Sequence, residues 1–234
     1  MFGLLGKCCD IKDFIVRLTD AVEAKTLPDW EEKIKSLRAR ESDAYDDDTF
    51  VPREVILDIA SKVSADTRIA TVVGHHQMWT AKFYDFRKKH TWLYSGGLGT
   101  MGFGLGASVG ACFATGKRTV LITGDGSFGM SLNELATAVS QKTPLVIVIM
   151  NNGVLGMVRQ LQTRFYGKHY SATTLARQTD FVKVAEAFGA KGGRATNADD
   201  LRALAEEAFA YDGTFVIDCA VDSDEAVPSP LWEI

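Results

Sequence analysis

Positive charge is not in excess in this sequence: 26 Lys and Arg stand against 30 Asp and Glu, for a formal net charge of −4. A chain balanced in this way has no basic footprint for nucleic acid. Long apolar runs are also missing, and none approaches the roughly 18 residues of a membrane span. The brief apolar start, Met1-Phe2-Gly3-Leu4-Leu5-Gly6-Lys7, lacks the hydrophobic core of a secretory signal. These absences lead us to expect a cytoplasmic protein that binds neither nucleic acid nor membrane. Cysteine is scarce. Cys8, Cys9, Cys112 and Cys219 form no CxxC pair, and no His lies at ligand spacing from one. That pattern excludes a disulfide framework and a zinc site, and it reads as free thiols in a reduced compartment. Cys112 and Cys219 sit in apolar runs, as core residues do. Internal repeats and low-complexity segments are absent.

The composition that remains is ordinary. With 234 residues, 46% hydrophobic and 24% charged, the chain suffices for one large α/β domain, or one domain with an appendage. A division falls near residue 50. Ile11, Phe14, Ile15 and Leu18 recur at helical spacing, as do Trp30, Ile34 and Leu37, and Pro28-Asp29 suits a helix start. Residues 11–40 therefore read as two helices. Glu41 to Asp48 (ESDAYDDD) reads as a solvated linker, because acidic side chains without an ordering glycine make a poor cation cage. The domain expectations are a helical extension and linker over 1–50, a ligand-binding domain over 51–220 and a tail over 221–234.

From residue 50 onward β-like runs alternate with helical patterns. Pro52 opens a helix through Val63. Arg68–Val73, Trp92–Tyr94, Thr119–Thr123 and Thr214–Cys219 read as strands. Pro144–Met150 (PLVIVIM) is apolar throughout, like a central parallel strand. Helices are expected over 98–114, about 130–140, and near 153–165, 178–188 and 198–210; the small residues of the first require close packing. The expected fold is α/β, a doubly wound, mostly parallel sheet with helices on both faces.

Two glycine-rich features carry chemistry. Gly97-Leu98-Gly99-Thr100-Met101-Gly102 has the G-x-G-x-x-G outline of a dinucleotide fingerprint. That fingerprint wants an acidic residue at the end of the next strand, reaching a ribose. Asp125 instead lies between Gly124 and Gly126, a position that suits metal or phosphate better. Gly124-Asp125-Gly126-Ser127 leaves the carboxyl end of a strand, where ligands of open α/β sheets gather. Glycines permit close approach to a phosphate, and the following helix can offer amides to an anion. Asn151-Asn152 leaves the next strand. Each motif alone is an ordinary turn. Together they follow successive strands with 24 residues between Gly126 and Asn151, room for one helix and one buried strand. Carboxylate, amide oxygen, a backbone carbonyl and diphosphate oxygens make an Mg²⁺ set.

At this point the sequence resembles a known family. Gly124-Asp125-Gly126 with Asn151-Asn152 looks like the signature of thiamine-diphosphate enzymes. Gly74-His75-His76-Gln77-Met78-Trp79, Ser95–Gly104 (SGGLGTMGFG) and Asn151–Gln160 (NNGVLGMVRQ) resemble the C-terminal domain of acetolactate synthase catalytic subunits. The resemblance runs from about residue 50 to 220 and loosens after 180, while residues 7–50 resemble the segment after the family's central domain. It implies thiamine diphosphate and Mg²⁺ as cofactors. Asp125, Asn152 and the carbonyl of Val154 would hold the metal. Gly124, Gly126 and Ser127 would lie beside the diphosphate, with His75 and His76 in a segment near the cofactor. Gly99, Thr100 and Met101 would approach the aminopyrimidine, Met101 as the wedge that bends the cofactor. Leu155, Gly156 and Met157 would line the pocket near the reacting centre.

The resemblance also implies a reaction: decarboxylation of a 2-keto acid such as pyruvate and carboligation to 2-acetolactate, a step of branched-chain amino-acid biosynthesis. Alternatives are another thiamine-diphosphate-dependent keto-acid decarboxylase or carboligase, a cofactor-binding domain without catalysis, or a structural fragment. The family's activating glutamate comes from a pyrimidine-binding domain with no counterpart among these residues, since Glu134 reads as a helix residue. No catalytic residue is therefore assignable in this chain. The resemblance makes the chain about the last two-fifths of a full enzyme, working as a homo-oligomer or with a chain that carries the pyrimidine-binding domain. Several positions depart from the family. His75 stands for a common Gln and brings a charge that varies near neutral pH. Leu161 stands for a frequent Trp at the substrate channel, and Gly106 for a frequent Pro. Pro228–Ile234 does not match the usual closing segment.

Overall fold

Strand β4 (Leu145–Asn151) lies at the centre of the sheet, and its first six side chains are buried. Burial of this kind contributes roughly 1.5–3 kcal/mol for each large apolar side chain, so the run PLVIVIM dictates where the core forms. The structure, a computed structural model, describes residues 9–25, 27–42, 50–176 and 179–227, with backbone only over 38–42. Cys8, most of the acidic linker and Pro228–Ile234 lie outside the described residues. The chain divides into two compact units, Met1–Asp48 and Thr49–Ile234.

The first unit contains α1 (Ile11–Ala21), capped by the Asp10 carboxylate on the Lys12 N–H at 2.9 Å, and α2 (Pro28–Ser42). The second helix runs on over Glu41 and Ser42, which the sequence reading placed in the linker. Ile11, Ile15 and Leu18 of α1 and Trp30 of α2 are exposed.

The second unit is a six-stranded sheet in the order β2-β1-β3-β4-β6-β5, parallel throughout. The other strands are β1 (Arg68–Thr71), β2 (Trp92–Leu93), β3 (Thr119–Gly124), β5 (Lys191–Ala195) and β6 (Phe215–Ala220). The helices are α3 (Pro52–Ser61), α4 (His75–Phe83), α5 (Phe103–Thr115), α6 (Asp125–Phe128), α7 (Leu135–Ser140), α8 (Gly156–Phe165), α9 (Phe181–Ala187) and α10 (Ala198–Ala210). Residues from α5, α6, α7 and α9 cover Leu145, Ile147 and Ile149 on one face. Alternation along the strand turns Val146, Val148 and Met150 to the other face, where α3, α4 and α10 pack. Helices on both faces of a parallel sheet make the fold doubly wound α/β. Cys112 and Cys219 are both buried. No helix among the described residues is long and apolar enough to cross a membrane.

Several elements differ from the sequence reading. The helix expected from 98 begins at Phe103, because Gly99 and Gly102 take left-handed backbone at φ 64° and 82° and break the helical run. The helix expected over about 130–140 is split. One turn forms at once over Asp125–Phe128, then a 3₁₀ turn over Leu132–Glu134, then α7. Two elements were not anticipated, α4 and the edge strand β5. The close packing required of α5 is met at Gly104, where an added Cβ would lie 2.6 Å from both Leu121 Cδ1 and Val72 Cγ2. Gly104→Val is therefore expected to destabilise the fold by about 1–3 kcal/mol through overpacking, read as a lowered urea midpoint with an unchanged slope.

Candidate functional site

The carboxyl ends of β1, β3 and β4 open on one cleft of about 710 Å³. Three segments leave the sheet there: Val73-Gly74, Gly124-Asp125-Gly126 and Asn151-Asn152. After β3 the chain turns at once into α6. Phe128, 1% exposed and edge-on to Phe181 at 5.6 Å, anchors that turn in the core. Ser127 Oγ donates to the Val73 carbonyl at 3.2 Å and ties the exits of β1 and β3 together. The anchored turn leaves the Asp125 carboxylate in the cleft wall, only 4% exposed.

After β4, Asn152 Oδ1 accepts from the Val154 N–H at 3.1 Å, an Asx turn. The loop is held from outside, since Leu155 N–H donates to Thr173 O at 2.7 Å and Leu175 N–H donates to Gly153 O at 2.8 Å. Helix α8 then starts at Gly156, with Gly156, Met157 and Val158 in the cleft lining. Their N–H groups are the unpaired first-turn donors of a helix, and α4 turns its own first residues, His75 and His76, to the same cleft. Two helix starts aimed at one cleft favour an anion there. Packing is close: a Cβ on Gly156 would lie 2.8 Å from His75 Nδ1 and 3.0 Å from Asn152 Nδ2.

His75 and His76 are both buried. His75 Nε2 pairs with Gln160 Oε1. Gln160 Nε2 donates to Val227 O at 3.0 Å, and its Oε1 accepts the Val227 N–H at 3.3 Å. The Gln160 oxygen is thus an acceptor, so His75 carries its proton on Nε2. Burial lowers the His75 pKa, against the opposing hydrogen bond to Gln160. The varying charge expected at this position near neutral pH gives way to a neutral ring, because the imidazolium would lose its hydration. Burial holds His76 further down, at about 3. Its Nε2 is buried in the cleft wall with no partner among the described residues.

A pH dependence follows. A histidine that protonates near 6.5 when unfolded, but stays neutral when folded, contributes stability that is complete above 6.5 and lost as pH falls toward the folded value. From pH 7 to pH 5 His76 alone is expected to remove about 2 kcal/mol of unfolding free energy, and His75 acts in the same direction. Urea midpoints at the two pH values check this; His76→Gln should flatten the slope, and a pH-independent midpoint would contradict it.

The structure brings His75, His76, Met101, Gly124, Asp125, Gly126, Ser127, Asn152, Val154, Leu155, Gly156 and Met157 into one lining. Gly99 and Thr100 lie outside it; the Thr100 N–H donates to Ser95 Oγ at 3.1 Å, in an exposed turn. Leu161 stands on α8, 38% exposed and also outside the lining. Sequence reasoning missed several lining residues, among them Trp79, Val221, Asp222 and Glu225. Val221 had a legible signal, since it follows the carboxyl end of a strand beside β4. Among the described residues no three His, Cys, Asp or Glu side chains gather as a metal cage. At the exits of β3 and β4 the cleft offers the Asp125 carboxylate, the Asn152 amide oxygen and backbone carbonyls, with Asp222 and Glu225 elsewhere in the lining, and such a set suits a hard cation that keeps phosphate and water ligands. The orphaned His76 Nε2 and the two helix starts fit a polar, anionic group beside that cation.

Residues 72–219 match the family described as thiamine pyrophosphate enzyme, C-terminal TPP binding domain; thiamine pyrophosphate is thiamine diphosphate. The chain is 40% identical over 235 residues to the acetolactate synthase large subunit of Corynebacterium glutamicum, covering 96% of this chain and 38% of that protein. It is 38% identical over 228 residues to the probable acetolactate synthase large subunit of Methanocaldococcus jannaschii, covering 93% and 38%. It is 39% identical over 203 residues to the acetolactate synthase isozyme 2 large subunit of Escherichia coli K12, covering 85% and 37%. The chain thus spans somewhat under two-fifths of the length of these relatives. Among solved structures, benzoylformate decarboxylase from Polynucleobacter necessarius shares the fold, with a TM-score of 0.69 at 23% identity over 76% of this chain and 34% of that one.

Proposed function

The chain belongs to the thiamine pyrophosphate enzymes through their C-terminal cofactor-binding domain, and from that premise we propose that it forms the metal- and diphosphate-holding wall of an acetolactate synthase-like active site. One observation carries the reading. Asp125 and Asn152 leave adjacent parallel strands and line the same cleft as the first residues of α4 and α8. Asp125, Asn152 and the Val154 carbonyl would hold Mg²⁺, whose charge would offset that of the diphosphate. Gly126 and Ser127, with the amides that open α8, would hold the phosphate oxygens. Met101, whose Cε would lie 3.8 Å from a Cβ added at Gly126, would press on the cofactor from the same wall.

When bound, thiamine diphosphate supplies the electron sink for decarboxylating a 2-keto acid and for forming the new carbon–carbon bond. The chain's own contribution is to bind, orient and exclude water. The apolar lining of Met101, Leu155, Met157 and Val158 lowers the local dielectric, which favours loss of carbon dioxide from a charged carboxylate. Pyruvate as donor and acceptor would give 2-acetolactate and carbon dioxide. The activating glutamate would come from a pyrimidine-binding domain beyond these residues, within a homo-oligomer or on a companion chain in the cytoplasm.

Mixing the purified chain with a chain that carries such a domain, thiamine diphosphate, Mg²⁺ and pyruvate tests the reading. Acetolactate formation that requires both chains is the expected result. Mg²⁺-dependent cofactor binding with a product other than acetolactate would reassign the reaction within the same enzymes. No cofactor binding would overturn the reading.

A further inference from the structure

Asn151, the last residue of β4, and Asn152, the next, face opposite ways. Asn152 lines the cofactor cleft, whereas Asn151 lines a second, polar cavity of about 650 Å³ with Gly153, Thr179, Asp180 and Arg194. Asp125 borders both. On its side Asn151 Nδ2 donates to Asp218 Oδ1 at 2.9 Å. Asp218, on β6, is 0% exposed. Its other oxygen accepts from Arg194 of β5, from Nε at 3.0 Å and Nη2 at 2.7 Å. A wholly buried carboxylate thus bridges three adjacent strands. Burying such a charge costs several kcal/mol unless it is fully paired, and an apolar residue would serve the strand itself at least as well.

What the bridge controls is the exit of β4. The Asn151 side chain is held by Asp218, and its carbonyl accepts the Val221 N–H at 3.1 Å. The next residue is Asn152, whose side-chain oxygen accepts locally, from the Val154 N–H at 3.1 Å. The direction in which Asn152 Oδ1 and the Val154 carbonyl point is therefore fixed from two sides, by Asn151 before the loop and by the bonds of Gly153 and Leu155 to the 173–175 segment after it. Resting on the Mg²⁺ reading above, we infer that Asp218 and Arg194 are positioning residues that act through Asn151 to aim the metal-binding oxygens of the β4 loop. Carboxylates placed behind metal ligands commonly matter in this way.

Calorimetric titration of the full chain with Mg²⁺, at saturating thiamine diphosphate, tests the inference alongside melting curves without ligands. Asn151→Ala should raise the half-saturating Mg²⁺ concentration about 10-fold or more, and should also lower the ligand-free melting temperature, because one oxygen of the buried Asp218 loses its partner. Arg194→Met, at a side chain 48% exposed, should raise it in the same direction and serves if Asn151→Ala does not fold. The exchange Asn151→Asp with Asp218→Asn restores the pairing: the amide now on β6 can donate to the carboxylate now on β4, while the amide oxygen still accepts from Arg194. It should recover the unsubstituted chain's Mg²⁺ response to within about threefold, as a coupled pair does. An unchanged Mg²⁺ response in folded Asn151→Ala or Arg194→Met overturns the inference and leaves the cofactor reading standing. A folded exchange variant as weak as Asn151→Ala overturns it too. An unsubstituted chain with no Mg²⁺ response overturns the cofactor reading and this inference with it.

Discussion

Asp125→Ala is expected to weaken Mg²⁺-dependent binding of thiamine diphosphate by more than about 100-fold, since even residues that only support metal ligands commonly cost 10–100-fold, while the chain stays folded. Asp125 is the one carboxylate among the proposed ligands, and Mg²⁺ is held through one or two carboxylates plus phosphate oxygens. The backbone of the turn has its own supports. The α6 turn is held by Phe128 in the core, by the Ser127–Val73 bond, and by the Asp125 carbonyl accepting from Gly129 at 3.0 Å, all of which alanine preserves. The chain without metal should still melt cooperatively, and the rise in melting temperature normally produced by cofactor with Mg²⁺ should vanish. Asp125→Asn, which keeps an oxygen but not the charge, should fall between. An Ala variant with an unchanged Mg²⁺ midpoint would show that the metal lies elsewhere.

Trp79→Ala should have the largest effect on stability, a loss of about 3–5 kcal/mol typical of truncating a buried aromatic. Trp79 is 0% exposed, stacks on Phe83 at 5.5 Å and meets His75 edge-on at 6.5 Å. It is at once core of the α4 face and back wall of the cleft. The void would release the His75 ring, so cofactor affinity should fall together with the urea midpoint. Trp79→Phe keeps a ring and should cost less than half as much. A loss below about 1 kcal/mol for the Ala variant would mean that the α4 face collapses around the void and that the wall is softer than its packing implies.

How much of this was legible in the sequence depended on how local the cause was. PLVIVIM announces a central strand because every side chain in it is apolar. Gly124-Asp125-Gly126 and Asn151-Asn152 announce a site because both follow such strands. Helix α4 was hidden because its buried face is His75, His76, Trp79 and Thr80, a polar mixture with no apolar period. Edge strand β5 was hidden by Gly192 and Gly193, residues that strands disfavour. Gly193 is needed because α10 passes so close that an added Cβ would lie 2.3 Å from Leu204 Cδ2. The link from His75 through Gln160 to Val227 depends on tertiary pairing and has no local signature. Asp218 did leave a sign, a carboxylate inside the apolar run TFVIDC. A charge within a buried strand demands a partner, and its partners, Asn151 and Arg194, lie 67 and 24 residues away.

The central claim is that a divalent cation sits between the β3 and β4 exits and carries the diphosphate. Its most direct test is anomalous diffraction from crystals of the chain grown with thiamine diphosphate and Mn²⁺, which shares the octahedral oxygen preference of Mg²⁺. The account predicts one strong anomalous peak in the cofactor cleft, ligated by the Asp125 carboxylate, Asn152 Oδ1 and the Val154 carbonyl. A peak in the second cavity beside Asn151 and Asp180, or bound cofactor with no peak at Asp125, would contradict it.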